Sequence, residues 1–258
     1  MYMKERPIII ANWKLGLDHN QSVALAREIA NNAHELTAHA HIILSPSTVS
    51  LSQVIREFSD PAPVSFCAQN IHSEVLGAFT GETSVAAVQQ LGCRYVIVGH
   101  SERRRLFGET DAGVAKKTRL AFEFGLTPII CVGETYEERQ SGRAEIVVTN
   151  ELQKALTGLQ FSENQRIFIA YEPIWAIHPA REVHPDEAKL MAMVIHQQLI
   201  DMFPEPLVQN IILVYGGSAD ANNVNKFVDG RIIRGAFVGA ASHHFDDFHA
   251  LVLALANK

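Results

Sequence analysis

Eight short, near-continuous apolar runs punctuate the chain, at residues 7–11, 41–44, 64–68, 95–98, 128–132, 166–171, 210–215 and 232–238. None shows the polar–apolar alternation of a strand with one face in water. A strand that is apolar on both faces must be covered on both faces, which is the situation of parallel strands each followed by a helix. The gaps carry helical spacing. Leu25, Ile29, Ala33 and Leu36 fall on one face of a predicted helix, and Leu51, Val54, Ile55 and Phe58 on one face of the next. Pro185 followed by Asp186 and Glu187 predicts a helix start, with proline in the first turn and acids at the positive end of the helix dipole. Eight strand–helix units in a chain of 258 residues predict a (β/α)8 barrel, one domain spanning residues 1–258, with its site on the loops at the carboxyl ends of the strands. A doubly wound open sheet is the structural competitor. The chain has no dinucleotide-type glycine fingerprint after its first run, which weighs against it.

Composition narrows the function classes. The chain is 47% hydrophobic and 19% charged, enough for a sizeable core, and no linker-like stretch divides it. A net charge of −6, with basic residues scattered apart from the run 103–105, gives no electrostatic footprint for nucleic acid. That arginine run reads as a solvated or salt-bridged helix start. No apolar run is long enough to span a bilayer, and residues 1–6 lack the apolar segment of a signal peptide, so the expected location is cytoplasmic and no membrane partner is expected. Cys67, Cys93 and Cys131 are odd in number and widely spaced, which predicts buried free thiols rather than disulfides or a thiolate metal site. His39 with His41, and His243 with His244, would bind a metal only with a third ligand supplied by the fold. They are expected at the surface.

The polar residues at the strand ends form one candidate set. Asn12 and Lys14 follow the first run, His100, Ser101 and Glu102 the fourth, and Glu172 the sixth. In a barrel all of them converge on one mouth. Glycine-rich turns, expected after the seventh and eighth runs at Gly216, Gly217, Ser218, Gly235 and Gly239, would let backbone amides approach an anion closely. Each residue has a plainer reading: Glu172 as a solvated loop residue, His100 as a helix-capping histidine, Ser101 as an N-cap, Lys14 as a surface lysine. Their joint placement favours the functional one, and for Ser101 both readings hold.

The segments ANWK (11–14), VGHSERR (98–104), AYEPIWAI (170–177) and YGGS (215–218) resemble those of the triosephosphate isomerase family, in the same order and at the same strand ends. Gln69 and Asn70, followed by GAFTGETS (77–84), resemble its dimer-forming third loop. The resemblance covers roughly residues 8–242. It implies a TIM barrel that interconverts glyceraldehyde 3-phosphate and dihydroxyacetone phosphate, a step of glycolysis and gluconeogenesis, without metal or cofactor. Such chemistry needs a base beside a carbonyl, a donor to the carbonyl oxygen and positive potential for the enediolate. The resemblance assigns Glu172 as the base, neutral His100 as the donor, Lys14 as the positive charge, Asn12 as a donor to substrate oxygen and Glu102 as the group that orients Lys14. It places phosphate binding at His178, Ser218, Gly239 and Ala240. It also implies a homodimer in which Thr80 reaches toward Asn12 and Lys14 of the neighbour.

Three departures stand out. The tip of the sixth loop reads His178, Pro179, Ala180 and Arg181 where the family usually has Gly-Thr-Gly-Lys, Ala240 replaces the second of two glycines in the eighth loop, and Phe237 replaces a smaller aliphatic residue. Proline fixes φ and alanine resists φ > 0, so a lid that relies on glycine dihedrals would close differently. An isomerase of another short sugar phosphate such as a tetrulose phosphate, a non-catalytic phosphosugar-binding barrel, and a Schiff-base aldolase using Lys14 stay open at this level.

Overall fold

A computed structural model describes residues 6–176 and 183–256 of the chain. Its strands are β1 (Ile8–Asn12), β2 (His41–Ser45), β3 (Ser65–Ala68), β4 (Tyr95–Val98), β5 (Thr127–Val132), β6 (Ile167–Tyr171), β7 (Ile211–Tyr215) and β8 (Ile233–Val238). The helices, in chain order, are α1 (His19–Asn31), α2 (Ala33–His39), α3 (Thr48–Arg56), α4 (Val85–Gln90), α5 (Ser101–Phe107), α6 (Asp111–Glu123), α7 (Tyr136–Gln140), α8 (Ala144–Leu156), α9 (Pro185–Met202), α10 (Glu205–Val208), α11 (Val224–Phe227) and α12 (Phe245–Ala256). Each strand pairs in parallel with the next, and β8 pairs back onto β1, so the sheet closes as the expected (β/α)8 TIM barrel.

The unbroken hydrophobicity of the strands has a direct cause. Successive strand side chains point to opposite faces, and here both faces are buried. Ile8, Ile10, Ile43, Cys67, Ile97, Ile129, Phe168, Ile212, Val214 and Phe237 fill the barrel interior. Ile9, Ala11, Ile42, Leu44, Ile169 and Leu213 face outward into a second core shared with Leu25, Ile29, Leu51, Val54 and Phe248 of the helices.

The helical readings need two corrections. Leu25 and Ile29 lie on α1 but Ala33 and Leu36 lie on α2, because the chain turns at Asn32, whose φ of −108° and ψ of 9° leave the helical region. The Asn32 amide donates to the Glu28 carbonyl at 2.9 Å, so it satisfies the end of one helix as the next begins. All four apolar residues are buried all the same. Phe58 lies beyond the end of α3, although it too is buried. The start of α9 is as predicted, with Pro185 in the first turn, Asp186 and Glu187 beside it, and His184 as the cap. The three cysteines are free and buried, and burial pushes the Cys93 thiol up to about 12. No described helix is long and apolar enough to cross a membrane.

Gly235 lies within β8, not in the turn after it, and it serves barrel closure. It pairs with Ile8, and a Cβ there would stand 2.2 Å from the Ile8 carbonyl oxygen. Gly235→Ala is therefore expected to spread the β1–β8 seam and cost ~3 kcal/mol, read as a fall of roughly 6–12 °C in Tm by thermal unfolding.

Candidate active site

The carboxyl end of β1 delivers Lys14 in a costly conformation. Its φ of 49° lies in the left-handed region that non-glycine residues seldom enter. The neighbours hold it there. Its backbone N–H donates to Asn12 Oδ1 at 3.0 Å, and its carbonyl accepts from Gln69 Nε2 at 2.9 Å. The same Gln69 amide donates to the Ser45 carbonyl at 3.0 Å, which ties the first loop to the ends of β2 and β3. Lys14 Nζ then reaches Glu102 Oε1 at 2.7 Å. Burial alone would raise the Glu102 carboxyl, but the hydrogen bond and charge of Lys14 outweigh it and hold it below the usual range.

His100 sits at the start of α5 and caps it with its ring, since Nδ1 accepts the Glu102 N–H at 3.2 Å. The cap is His100 and not Ser101, which occupies the first helical position. A ring nitrogen that accepts an N–H carries no proton, so this contact assigns the neutral tautomer with its proton on Nε2. Nε2 lies 3.1 Å from Glu172 Oε1. The other Glu172 oxygen, Oε2, accepts the backbone N–H of Ser101 at 3.0 Å. Residues from the ends of β4 and β6 thus meet directly, with an ionisable carboxyl only 2% exposed. Carboxylates are rarely so buried without hydrogen-bond donors, and here the donors are the imidazole and the first turn of a helix.

The backbone around Glu172 leaves no room for side chains. Its N–H donates to the Val132 carbonyl at 2.8 Å, and Gly216 N–H donates to the Tyr171 carbonyl at 2.8 Å. A Cβ on Gly133 would stand 1.7 Å from the Glu172 carbonyl oxygen, and one on Gly216 would stand 2.9 Å from Glu172 Cγ.

These groups open on a cavity of about 580 Å³. Asn12, Lys14, His100 and Glu172 line it together with Gly216, Gly217, Ser218, Gly239 and Ala240. Phe237 enters from β8 and meets His100 edge to face, ring centroids 5.8 Å apart at 72°. Of the residues singled out from sequence, Asn12, Lys14, His100, Glu172, Ser218, Gly239 and Ala240 line this one space, and Glu102 stands behind Lys14. His178, with Pro179, Ala180 and Arg181, lies outside the described residues. A larger cavity of about 870 Å³ opens at the amino ends of β7 and β8, beside Arg6, His196 and Arg234. It contains none of the strand-end carboxylate, imidazole and ammonium groups, so size does not locate the chemistry. Among the described residues no three His, Cys, Asp or Glu side chains are grouped to hold a metal ion.

Sequence reading missed Gln69 as the support of Lys14, and it missed Glu134 altogether. Glu134 follows β5, is fully buried, and its Oε1 accepts from Tyr171 Oη at 3.2 Å, Trp175 Nε1 at 2.9 Å and Arg139 Nη1 at 3.1 Å. Its carbonyl also accepts the Ile174 N–H at 3.1 Å, so it anchors both the end of β6 and the chain entering the sixth loop. Its place just after an apolar run was the available signal. Two histidines expected at the surface are half-buried. His41 contacts Tyr95 Oη at 3.3 Å at the amino end of the barrel, and burial, followed by the charges of Arg6, Arg166 and Arg94, lowers its pKa. His243 lines the candidate cavity, with its ring against Gly16 where a Cβ would lie 2.2 Å away, and burial lowers its pKa. The arginine run is salt-bridged as expected, Arg103 to Glu109 at 3.4 Å and Arg104 to Asp111 at 2.6 Å.

Comparison with known proteins agrees with this geometry. A family model described as triosephosphate isomerase matches residues 7–255. A triosephosphate isomerase of Herpetosiphon aurantiacus is 39% identical over 249 residues, covering 96% of this chain and 98% of that protein. One from Carboxydothermus hydrogenoformans is 36% identical over 247 residues, with 96% and 98% covered, and one from Rhodopirellula baltica is 37% identical over 252 residues, with 98% of each covered.

Replacing Glu134 by alanine leaves Tyr171 Oη, Trp175 Nε1 and part of Arg139 without their common acceptor. A loss of ~3 kcal/mol is expected on chemical denaturation, the magnitude for breaking one side of a buried ionic network.

Proposed function

The chain belongs to the triosephosphate isomerase family, and from that premise we propose how its site interconverts glyceraldehyde 3-phosphate and dihydroxyacetone phosphate. Glu172 takes a proton from the carbon beside the substrate carbonyl and returns it to the neighbouring carbon. His100 donates its Nε2 proton to the carbonyl oxygen as negative charge develops, and Lys14 supplies positive potential to the enediolate. Asn12 uses its side-chain oxygen on the Lys14 N–H, which leaves its amide N–H groups for a substrate oxygen. Glu102 holds Lys14 at the cavity wall. Ser218, Gly239 and Ala240 take the phosphate, and His178 is assigned to it on the family resemblance alone. The observation that carries this reading is the contact of 3.1 Å between His100 Nε2 and Glu172 Oε1, in a cavity that Lys14 also lines.

Phe237 against His100 narrows the cavity beside the reacting groups and favours a three-carbon over a four-carbon sugar. Lys14 Nζ is engaged by Glu102 at 2.7 Å, which does not suit a Schiff-base nucleophile. The homodimer is also part of the proposal. Leu15 and Leu76 on loops and Val49 in the first turn of α3 are 93%, 83% and 86% exposed, and a second copy seated there would remove them from water. Thr80 is exposed on a loop braced by the His72 N–H to the Thr83 carbonyl at 2.8 Å and by the His72 and Phe79 rings 4.1 Å apart. A cytoplasmic location accords with the substrate class and with three buried thiols that form no disulfide.

Glu172→Asp withdraws the carboxylate from the carbon and is expected to lower kcat by ~10³-fold while circular dichroism stays unchanged. Equal turnover in variant and wild type would remove Glu172 from the mechanism. Analytical ultracentrifugation is expected to show a dimer of the 28.5 kDa chain, and a fully active monomer would remove the partner from the site.

A further inference from the structure

Behind the cavity, away from the substrate, a charged cluster joins the two strand ends that carry the reacting groups. Glu151 on α8 has a side chain only 15% exposed, and its Oε2 accepts the Gly133 N–H at 3.0 Å. Its Oε1 lies 3.6 Å from Nη1 of Arg104 on α5. Arg104 donates from Nε to the Gly99 carbonyl at 2.9 Å and from Nη1 to Asp111 Oδ1 at 2.6 Å. Gly99 directly precedes His100. Gly133 is pressed against the backbone of Glu172, as its missing Cβ shows. One carboxylate–guanidinium contact therefore touches backbone on both sides of the meeting between imidazole and base.

We propose that Glu151 is a positioning residue for the isomerisation: ionised, it draws Arg104 and Gly133 together and aligns His100 with Glu172, and protonated it loosens that alignment. The inference rests on the isomerase reading given above. Four surrounding groups set its charge. Arg104 faces it from α5, Asp111 from the start of α6, Glu138 from α7 and the Gly133 N–H from the end of β5; Asp111 is itself paired with Lys154 at 2.8 Å. Burial raises the Glu151 carboxyl from 4.5 to about 7, with Arg104 and the Gly133 N–H opposing and Asp111 and Glu138 adding. Both forms are thus populated near neutral pH. The sign follows from linkage: an acid whose pKa is raised by folding stabilises the fold fully below about 4.5 and loses that contribution as pH rises through about 7. Alignment improves with pH over the same range in which stability declines. Opposite movement of the two is the signature of this arrangement.

The test uses the intact protein and the variant Glu151→Gln, which keeps the shape and an acceptor for Gly133 but cannot ionise. Amide ¹⁵N shifts of Gly133 and Gly99, together with kcat and KM for glyceraldehyde 3-phosphate, are followed from about pH 5.5 to about pH 9. The wild-type Gly133 signal is expected to titrate near pH 7, with kcat rising roughly three- to ten-fold across that midpoint and KM moving less than about two-fold. Glu151→Gln is expected to lose the Gly133 titration, stay at the lower kcat, and show the higher Tm above pH 7. A Gly133 signal that does not titrate overturns the proposal whatever the protein catalyses. A titrating signal with superimposable kcat profiles in the two proteins overturns the positioning role. No turnover by wild type, with Gly133 titrating, overturns the isomerase reading and this proposal with it. Should the variant fail to fold, wild type alone decides, since a flat kcat across the Gly133 midpoint is also fatal.

Discussion

The site depends on a buried acid held against an imidazole at the first turn of a helix. Taking a carboxylate out of water costs several kcal/mol unless donors replace the solvent. Here the replacement is specific: the Ser101 N–H on one oxygen and the His100 ring on the other. Both come from the start of α5, where unpaired amides and the helix dipole favour negative charge. His100 is in turn held by the Glu102 N–H at Nδ1, so the same helix turn orients the ring and receives the Glu172 carboxylate. The glycines at 133 and 216 follow from this, because the carboxylate reaches α5 only if nothing projects from the neighbouring strand ends. An ordinary side chain at either position would displace Glu172 from its donors.

The chain departs from its family resemblance at residues proposed to hold the phosphate and keeps those proposed to move the proton, and the packing explains part of that distribution. A Cβ on Gly239 would stand 3.3 Å from Lys14 Cε, a tight contact with the lysine side chain. Ala240 is exposed, and a methyl group there is accommodated. Phe237 lies in the barrel interior, where its ring packs beside His100 and close to Gly216. It stiffens the surroundings of the imidazole as it narrows the cavity.

The barrel was legible in the sequence because its constraint repeats: each strand needs two apolar faces, and eight such runs state that need eight times. Their ends fell within a residue of the observed ones, as at Ile8 after Pro7 and at Ile233 after Ile232. The break at Asn32 was not legible, since helical spacing carries through a single turn residue and the apolar face looks continuous. Residues one step behind the site were hidden for a different reason. Gln69, Glu134 and Glu151 act through contacts that span 55, 37 and 18 positions in the chain, and no local pattern encodes those distances. His41 and His243 were misplaced because spacing reports possible ligation and says nothing of burial.

Cost is distributed unevenly along the barrel axis. At the amino end Arg94 and Arg166 are exposed, and they act on His41 through their fields. At the carboxyl end the protein buries Glu172, Glu134 and most of Glu109 and Glu151, and it holds Lys14 in a left-handed conformation. Each of these carboxylates except Glu109 accepts a backbone or indole N–H from the strand ends or the loops beside them, so the charges fix the position of backbone that would otherwise be free to shift. Lys117 closes the cluster by linking Glu109 to Asn70 of the third loop. A fold whose interior is almost wholly apolar can carry such charges because its eight strands supply the stability independently of the site. The same separation explains why strain, buried ionisation and divergence all collect at one mouth while the core beneath remains a regular stack of aliphatic side chains.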